Sequence, residues 1–143
     1  MITIQENDFS VENEYNSLIK NGDSGAIAIF VGRVRDFPNS KSGFLLQHYA
    51  GMTEKVLAHI ESAAHSRWQL LETRIIHRVG QLAVNDQIVF VGVSSAHRKQ
   101  AFAACEFMID ILKTEAPFWK KEGDAWVDAK TEDSKIAERW MTK

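Results

Sequence analysis

A single cysteine, Cys105, stands among 143 residues. It excludes an intrachain disulfide framework and leads to the expectation of a reducing, cytoplasmic setting. The two prolines, Pro38 and Pro117, are too few for a proline-rich linker or low-complexity tract. No apolar run approaches the roughly 18 residues of a membrane span. The amino-terminal Met-Ile-Thr-Ile-Gln-Glu-Asn-Asp has no basic region leading into an apolar core, so no signal peptide is expected. Positive charge is not in excess: 17 Lys and Arg against 19 Asp and Glu give a formal net charge of −2. A broad grip on nucleic acid is therefore not expected, although a local basic pocket is compatible with this balance. A glycine-rich phosphate loop, a Gly-x-Ser-x-Gly elbow and a dinucleotide fingerprint are all missing. His48, His59, His65, His77 and His97 form no i, i+4 pair and have no adjacent cysteine, which argues against a structural zinc site.

What remains is an ordinary globular composition, 45% hydrophobic and 25% charged, consistent with one domain over residues 1–143. Ser10 is placed to cap a helix running to about Lys20. Gly25 to Arg35 reads as a buried strand emerging in charge, Asp36 to Gly43 as a loop and Phe44 to Tyr49 as a second strand. Gly51-Met52-Thr53-Glu54 opens a second helix, with Val56, Leu57, Ile60, Ala63 and Ala64 at helical spacing to about Trp68. Strands follow at Thr73 to Leu82 and, after the Asn85-Asp86 turn, at Gln87 to Ser94. A third helix is expected from about Ala96 to Lys113, with its stripe at Ala101, Ala104, Cys105, Met108, Ile109 and Leu112, ended by Pro117. Trp126 to Asp128 is a short candidate strand, and Glu132 to Trp140 a polar tail expected to be partly helical, with flexibility expected beyond about residue 130. The order β-β-α-β-β-α implies an α+β fold, a mixed sheet with helices packed on it.

Basic residues gather at element ends. Arg33-Val34-Arg35 closes a buried strand, and alternation puts both arginines on one face and Val34 on the other. Ser94-Ser95-Ala96-His97-Arg98 joins the most apolar strand to the third helix, where Ser94 or Ser95 would cap the helix. Cations there oppose the helix dipole unless an anion is bound. Lys113, Lys120 and Lys121 surround Pro117 beside Phe118 and Trp119. Lysine pKa values move readily on burial, so these amines either serve a pocket or lie in solvent around an apolar plug. Phe118, Trp119 and Trp126 form either a stacking platform for a heterocycle or ordinary packing. Cys105 lies in an apolar stripe and reads as a buried core thiol. Arg98 and Lys113 are 15 residues apart on one helix, about 22 Å at 1.5 Å per residue. If both belong to one pocket, the easier arrangement takes Arg98 from one subunit and Lys113 from another across a two-fold axis.

Several segments, in order, resemble the MoaE family, the large catalytic subunit of molybdopterin synthase: Gly32-Arg33-Val34-Arg35, His48-Tyr49-Ala50-Gly51-Met52-Thr53-Glu54-Lys55, Ile76-His77-Arg78-Val79-Gly80, Val89 to Arg98, and Leu112 to Glu122. The resemblance covers roughly residues 25–130, and its Ser-Ala-His-Arg and Lys-Thr-x-Ala-Pro-Phe-Trp-Lys stretches are long and distinctive. It implies an α/β hammerhead fold and a homodimer at the centre of a heterotetramer. It implies no cofactor and no metal. The outer partner would be a small ubiquitin-like sulfur carrier of the MoaD type, bearing a thiocarboxylate on its Gly-Gly terminus. Sulfur would pass to cyclic pyranopterin monophosphate (precursor Z), giving the molybdopterin dithiolene. By motif, Lys113 and Lys120 would be catalytic. Arg33, Val34, Arg35, His97, Arg98, Lys113, Lys120, Lys121 and Glu122 would line the substrate site, with His97 and Arg98 donated by the other subunit. The chain departs from the family at Ala50, often proline, at Lys130, where an arginine is common, and in the short Glu122-Gly123-Asp124 loop. The contrasting expectation is a non-catalytic module whose basic pocket docks an acidic or phosphorylated partner.

Overall fold

The computed structural model describes residues 1–36, 44–122, 125–127 and 140. The chain opens with β1 (Ile2–Gln5) and α1 (Val11–Ser17), then β2 (Ala26–Arg33), β3 (Phe44–His48) and α2 (Met52–Arg67). It continues through β4 (Glu72–Arg78), β5 (Gly80–Leu82), β6 (Gln87–Ser95), α3 (Arg98–Glu115), β7 (Phe118–Glu122) and β8 (Ala125–Val127). The α+β class expected from the sequence is the class observed, with two four-stranded sheets where one mixed sheet was expected.

The first sheet has the order β1-β4-β6-β2, with β1 parallel to β4 and the other pairs antiparallel. The second, β5-β3-β7-β8, is antiparallel throughout. The expected strand Thr73 to Leu82 is the hinge between them. It breaks at Gly80, whose φ of +92° is open to glycine at little cost, so β4 stays in the first sheet and β5 enters the second. Two strands were not read from the sequence. β1 is only four residues long, and the Phe-Trp-Lys-Lys-Glu run of β7 lacks polar and apolar alternation, so neither carries a strand signal of its own.

Helices α2 and α3 cover the first sheet. The expected stripe of α3, Ala101, Ala104, Cys105, Met108, Ile109 and Leu112, is buried throughout and packs with Leu57, Ile60 and Ala64 of α2 and with Ile75, Val91 and Val93. Burial pushes the Cys105 thiol up to about 12, as suits a core residue rather than a nucleophile. Ser10 caps α1, its Oγ accepting the Asn13 N–H at 3.2 Å, although the helix ends at Ser17 rather than near Lys20. The expected cap of α3 is corrected. Ser94 and Ser95 belong to β6, and their hydroxyls bond Glu72 N and Gln69 O, so His97 takes the N-cap position without a side-chain bond. The loop at 37–43 and the tail after 127, apart from Trp140, lie outside the described residues.

Candidate active site

Where the two sheets meet, the last turn of α3 closes a cavity of about 390 Å³. Each wall follows from local sequence. From the first sheet come Gly32 and Arg33 at the end of β2, His77 near the end of β4, and Ile88 and Val89 of β6. Gly32 sits opposite Val89 just before a register shift, and a Cβ there would lie 2.8 Å from Val89 Cγ1. Only glycine lets these strands close at this point without repacking. The second sheet contributes Phe44, Leu46, Phe118 and Lys120, with Leu46 directly opposite Lys120 in the β3–β7 ladder. Helix α3 adds Ile109 and Leu112 to Glu115, and the chain leaving it adds Ala116 and Pro117.

The turn that carries the chain from α3 into β7 is held tightly. Ala116 N donates to Leu112 O at 3.2 Å, and Phe118 N to Ala116 O at 2.9 Å, across Pro117. Pro117 has no N–H of its own, but its carbonyl accepts from Thr53 Oγ1 at 3.0 Å. That hydroxyl in turn accepts from Tyr49 N at 3.0 Å, and Thr53 is fully buried. One threonine at the start of α2 thus fixes the turn on which Lys113 and Lys120 are mounted.

Exposure sets the depth of the cavity. Phe44, Leu46, Val89, Leu112 and His77 are at most 6% exposed and form the floor. Arg33 and Lys113 are exposed at the rim, and Lys120 is half-buried between. Lys113 also lies in the last turn of α3, where the helix dipole favours a cation. Glu115 is the one carboxylate among the lining residues. The result is a slot with an apolar floor and a cationic mouth, suited to a planar or extended group that carries negative charge at one end.

The candidates named from the sequence are thus partly gathered. Arg33, Lys113 and Lys120 share the cavity. Val34 is buried with Phe44, Leu46 and Leu82, supporting the wall from behind, while Arg35 is exposed beyond the end of β2. Lys121 alternates with Lys120 along β7 and pairs with Leu45. Glu122 is paired with Phe44 in backbone register. His97 and Arg98 are exposed at the opposite end of α3 and do not reach this cavity within one chain. The aromatic platform is divided, because adjacent strand residues face opposite ways. Phe118 turns inward onto His77, with ring centroids 3.8 Å apart at 20°, whereas Trp119 is 47% exposed, 6.2 Å from the Tyr49 ring.

His77 is the pocket residue that the sequence reading did not place. Its Nδ1 lies 2.9 Å from Arg78 O, and its pKa is lowered to about 4. Burial is the main cause, with the nearby charges of Lys113 and His48 acting in the same direction and the Arg78 carbonyl opposing. The available signal was a histidine closing a β-branched run, Ile75-Ile76-His77, immediately before the Gly80 break.

Fold and site together define an α+β protein with a cation-rimmed pocket at a sheet junction, edged by amines and with no cysteine among the lining residues. The chain belongs to the MoaE protein family, whose model matches residues 4–115. It is 50% identical over 145 residues to the molybdopterin synthase catalytic subunit of Vibrio cholerae, covering 97% of each chain. Its fold superposes with a TM-score of 0.85 on the molybdopterin biosynthesis MoaE protein of Burkholderia ambifaria, at 48% identity and 99% coverage of both chains. A more distant structure, at 19% identity and a TM-score of 0.71, shares the fold over 91% of this chain and 90% of its own. It is a complex of subunits 1 and 2 of the molybdopterin-converting factor of Helicobacter pylori.

Proposed function

We propose that this chain is the catalytic subunit of a molybdopterin synthase. It takes sulfur from the thiocarboxylated C-terminus of a small ubiquitin-like carrier and delivers it to cyclic pyranopterin monophosphate, forming the dithiolene of molybdopterin. The observation that carries this reading is the convergence of Lys113, from the end of α3, and Lys120, from β7, on one apolar slot beside Arg33. In each transfer the carrier's sulfur forms a C–S bond at a pterin side-chain carbon as a C–O bond of that carbon breaks and its oxygen leaves. Water then hydrolyses the carrier's acyl C–S bond, leaving the sulfur on the pterin and a carboxylate on the carrier. The carrier brings the sulfur, so the protein needs no thiol of its own, in keeping with a buried, inert Cys105.

The chain's residues then have three tasks: to neutralise the thiocarboxylate, hold the phosphate and move protons. Lys113 at the rim is placed to polarise the tail's terminal carbonyl and stabilise the charge that develops on it. Lys120, half-buried, is placed for proton transfer as the cyclic phosphate opens. Arg33 suits bidentate phosphate binding. Arg35, Lys121 and Glu122 would complete the rim from neighbouring strand ends.

His97 and Arg98 enter the same scheme from a second copy of the chain. β2 is an edge of the first sheet, and on α3 the 68% exposed Phe102 follows Arg98 by one turn on the same helical face. An exposed phenylalanine beside an unused arginine is a surface fitted to a homodimer, with a carrier on each outer side. Purified protein mixed with thiocarboxylated carrier and pyranopterin monophosphate should yield the dithiolene product. Binding of the carrier with no product would sink the enzyme reading and leave a docking module in its place.

A further inference from the structure

His77 is the one floor residue of the slot with a polar side chain, it is 6% exposed, and the scheme above gives it no task. Its protonation pattern follows from its neighbours. The Arg78 carbonyl can only accept, so the 2.9 Å contact requires the hydrogen on Nδ1. In the neutral ring, Nε2 is then a bare lone pair. Among the described residues no hydrogen bond is made to that nitrogen, and the ring borders the cavity. Phe118, stacked at 3.8 Å, prevents the ring from tilting away.

We infer that His77 is a specificity-determining residue of the slot, an uncharged imidazole whose Nε2 accepts a hydrogen bond from an N–H of the bound group. The donor is either a peptide N–H of the carrier's tail or a ring N–H of the pterin, which share this chemistry. The inference rests on the synthase reading of the same pocket.

The surroundings keep the ring in the acceptor state. Lys113 of α3 and His48 of β3 act on it electrostatically, and burial opposes its charging, holding its pKa near 4. Arg33, Lys120 and Glu115 border the same cavity, so cations outnumber carboxylates around it. An imidazole of this kind is neutral at pH 7 and too weak a base to remove a proton, which leaves acceptance of a hydrogen bond as its available chemistry.

Two variants and one spectroscopic measurement test this. His77→Phe keeps the stacked ring and removes the acceptor, while His77→Gln restores an acceptor near the position of Nε2. With wild-type turnover measured in the same assay, His77→Phe should lower kcat/KM about ten-fold or more, and His77→Gln should recover most of it. Weaker carrier binding in the absence of pterin assigns the donor to the tail. A raised KM for pyranopterin monophosphate with unchanged carrier affinity assigns it to the heterocycle. Wild-type kcat, KM and carrier affinity in His77→Phe would overturn the inference and leave the synthase reading standing. Absent wild-type turnover would instead sink that reading. If His77→Phe does not fold, the 15N shift of His77 Nε2 in the wild-type protein decides. Saturating carrier or pterin should move it, and an unmoved resonance with both ligands overturns the inference.

Discussion

Thr53 sits away from the cavity and yet controls its geometry, because its hydroxyl donates to the Pro117 carbonyl and accepts from Tyr49 N–H. Replacing it with the near-isosteric valine keeps the packing and strands two part-buried backbone groups, Tyr49 N–H and the Pro117 carbonyl. The expected loss is about 1–3 kcal/mol, read from the denaturant midpoint. Turnover should fall further than stability accounts for, since Lys113 and Lys120 flank the turn that would loosen. Lys113→Ala should behave in the opposite way. The side chain is exposed, so the change should cost under about 0.5 kcal/mol, while sulfur transfer falls by about a hundred- to a thousand-fold if Lys113 stabilises the developing oxyanion. Wild-type turnover in that variant removes Lys113 from the mechanism. His77 predicts a pH dependence of stability. Its pKa is lowered in the folded protein from 6.5 to about 4, so above about pH 6.5 it contributes nothing. Between there and about pH 4 the unfolded chain binds the proton that the folded one refuses, and stability falls as the pH drops, by about 3 kcal/mol in all. Below that range both states are charged and the loss is complete. Denaturant titrations at intervals from pH 7 to pH 4 should show His77→Gln losing less stability than wild type over this window. Equal slopes would mean that His77 is not held neutral.

The helices and the long strands were legible because burial imposes a period. The stripe of α3 was read residue by residue, and the alternation of Arg33, Val34 and Arg35 was read correctly because a strand end must turn one face to the core. Two things were less accessible. β7 is flanked by β3 and β8, so its identity as a strand comes from partners distant in sequence rather than from its own pattern. Ser94 and Ser95 resemble helix caps locally, but the β6 ladder extends through both and assigns their hydroxyls to Glu72 and Gln69. The β6–α3 corner also has a steric requirement on its other side. A Cβ at Gly25 would fall 2.2 Å from the Ala96 carbonyl oxygen, a backbone atom that cannot rotate aside. Gly25→Ala must therefore shift the start of β2 or the corner carrying His97 and Arg98. A loss of about 1–3 kcal/mol is expected, visible as a lower melting temperature, and a neutral result would show that the corner has slack.

At the scale of the whole molecule, the proposed site is divided by the length of one helix. α3 spans Arg98–Glu115, so Arg98 and Lys113 stand about 22 Å apart, and straightening both side chains does not bring them onto one small phosphate ester. The sequence already contained this distance, but not the direction in which Arg98 faces. In the structure Arg98 is exposed, one turn from exposed Phe102, at the end of the helix remote from the cavity. A two-fold axis satisfies both residues at once, since each copy would lend its Arg98 to the other's slot. Complementation provides the test. Arg98→Ala and Lys113→Ala homodimers should each be nearly inactive. After subunit exchange, a hybrid holds one slot with both residues intact and one with neither. With statistical mixing half the dimers are hybrids, so activity should return to about one quarter of the wild-type value. It should track the hybrid fraction isolated by two different affinity tags. Hybrids that form and remain inactive would place each site within a single chain, and Arg98 would then have to act somewhere other than the slot that holds Lys113.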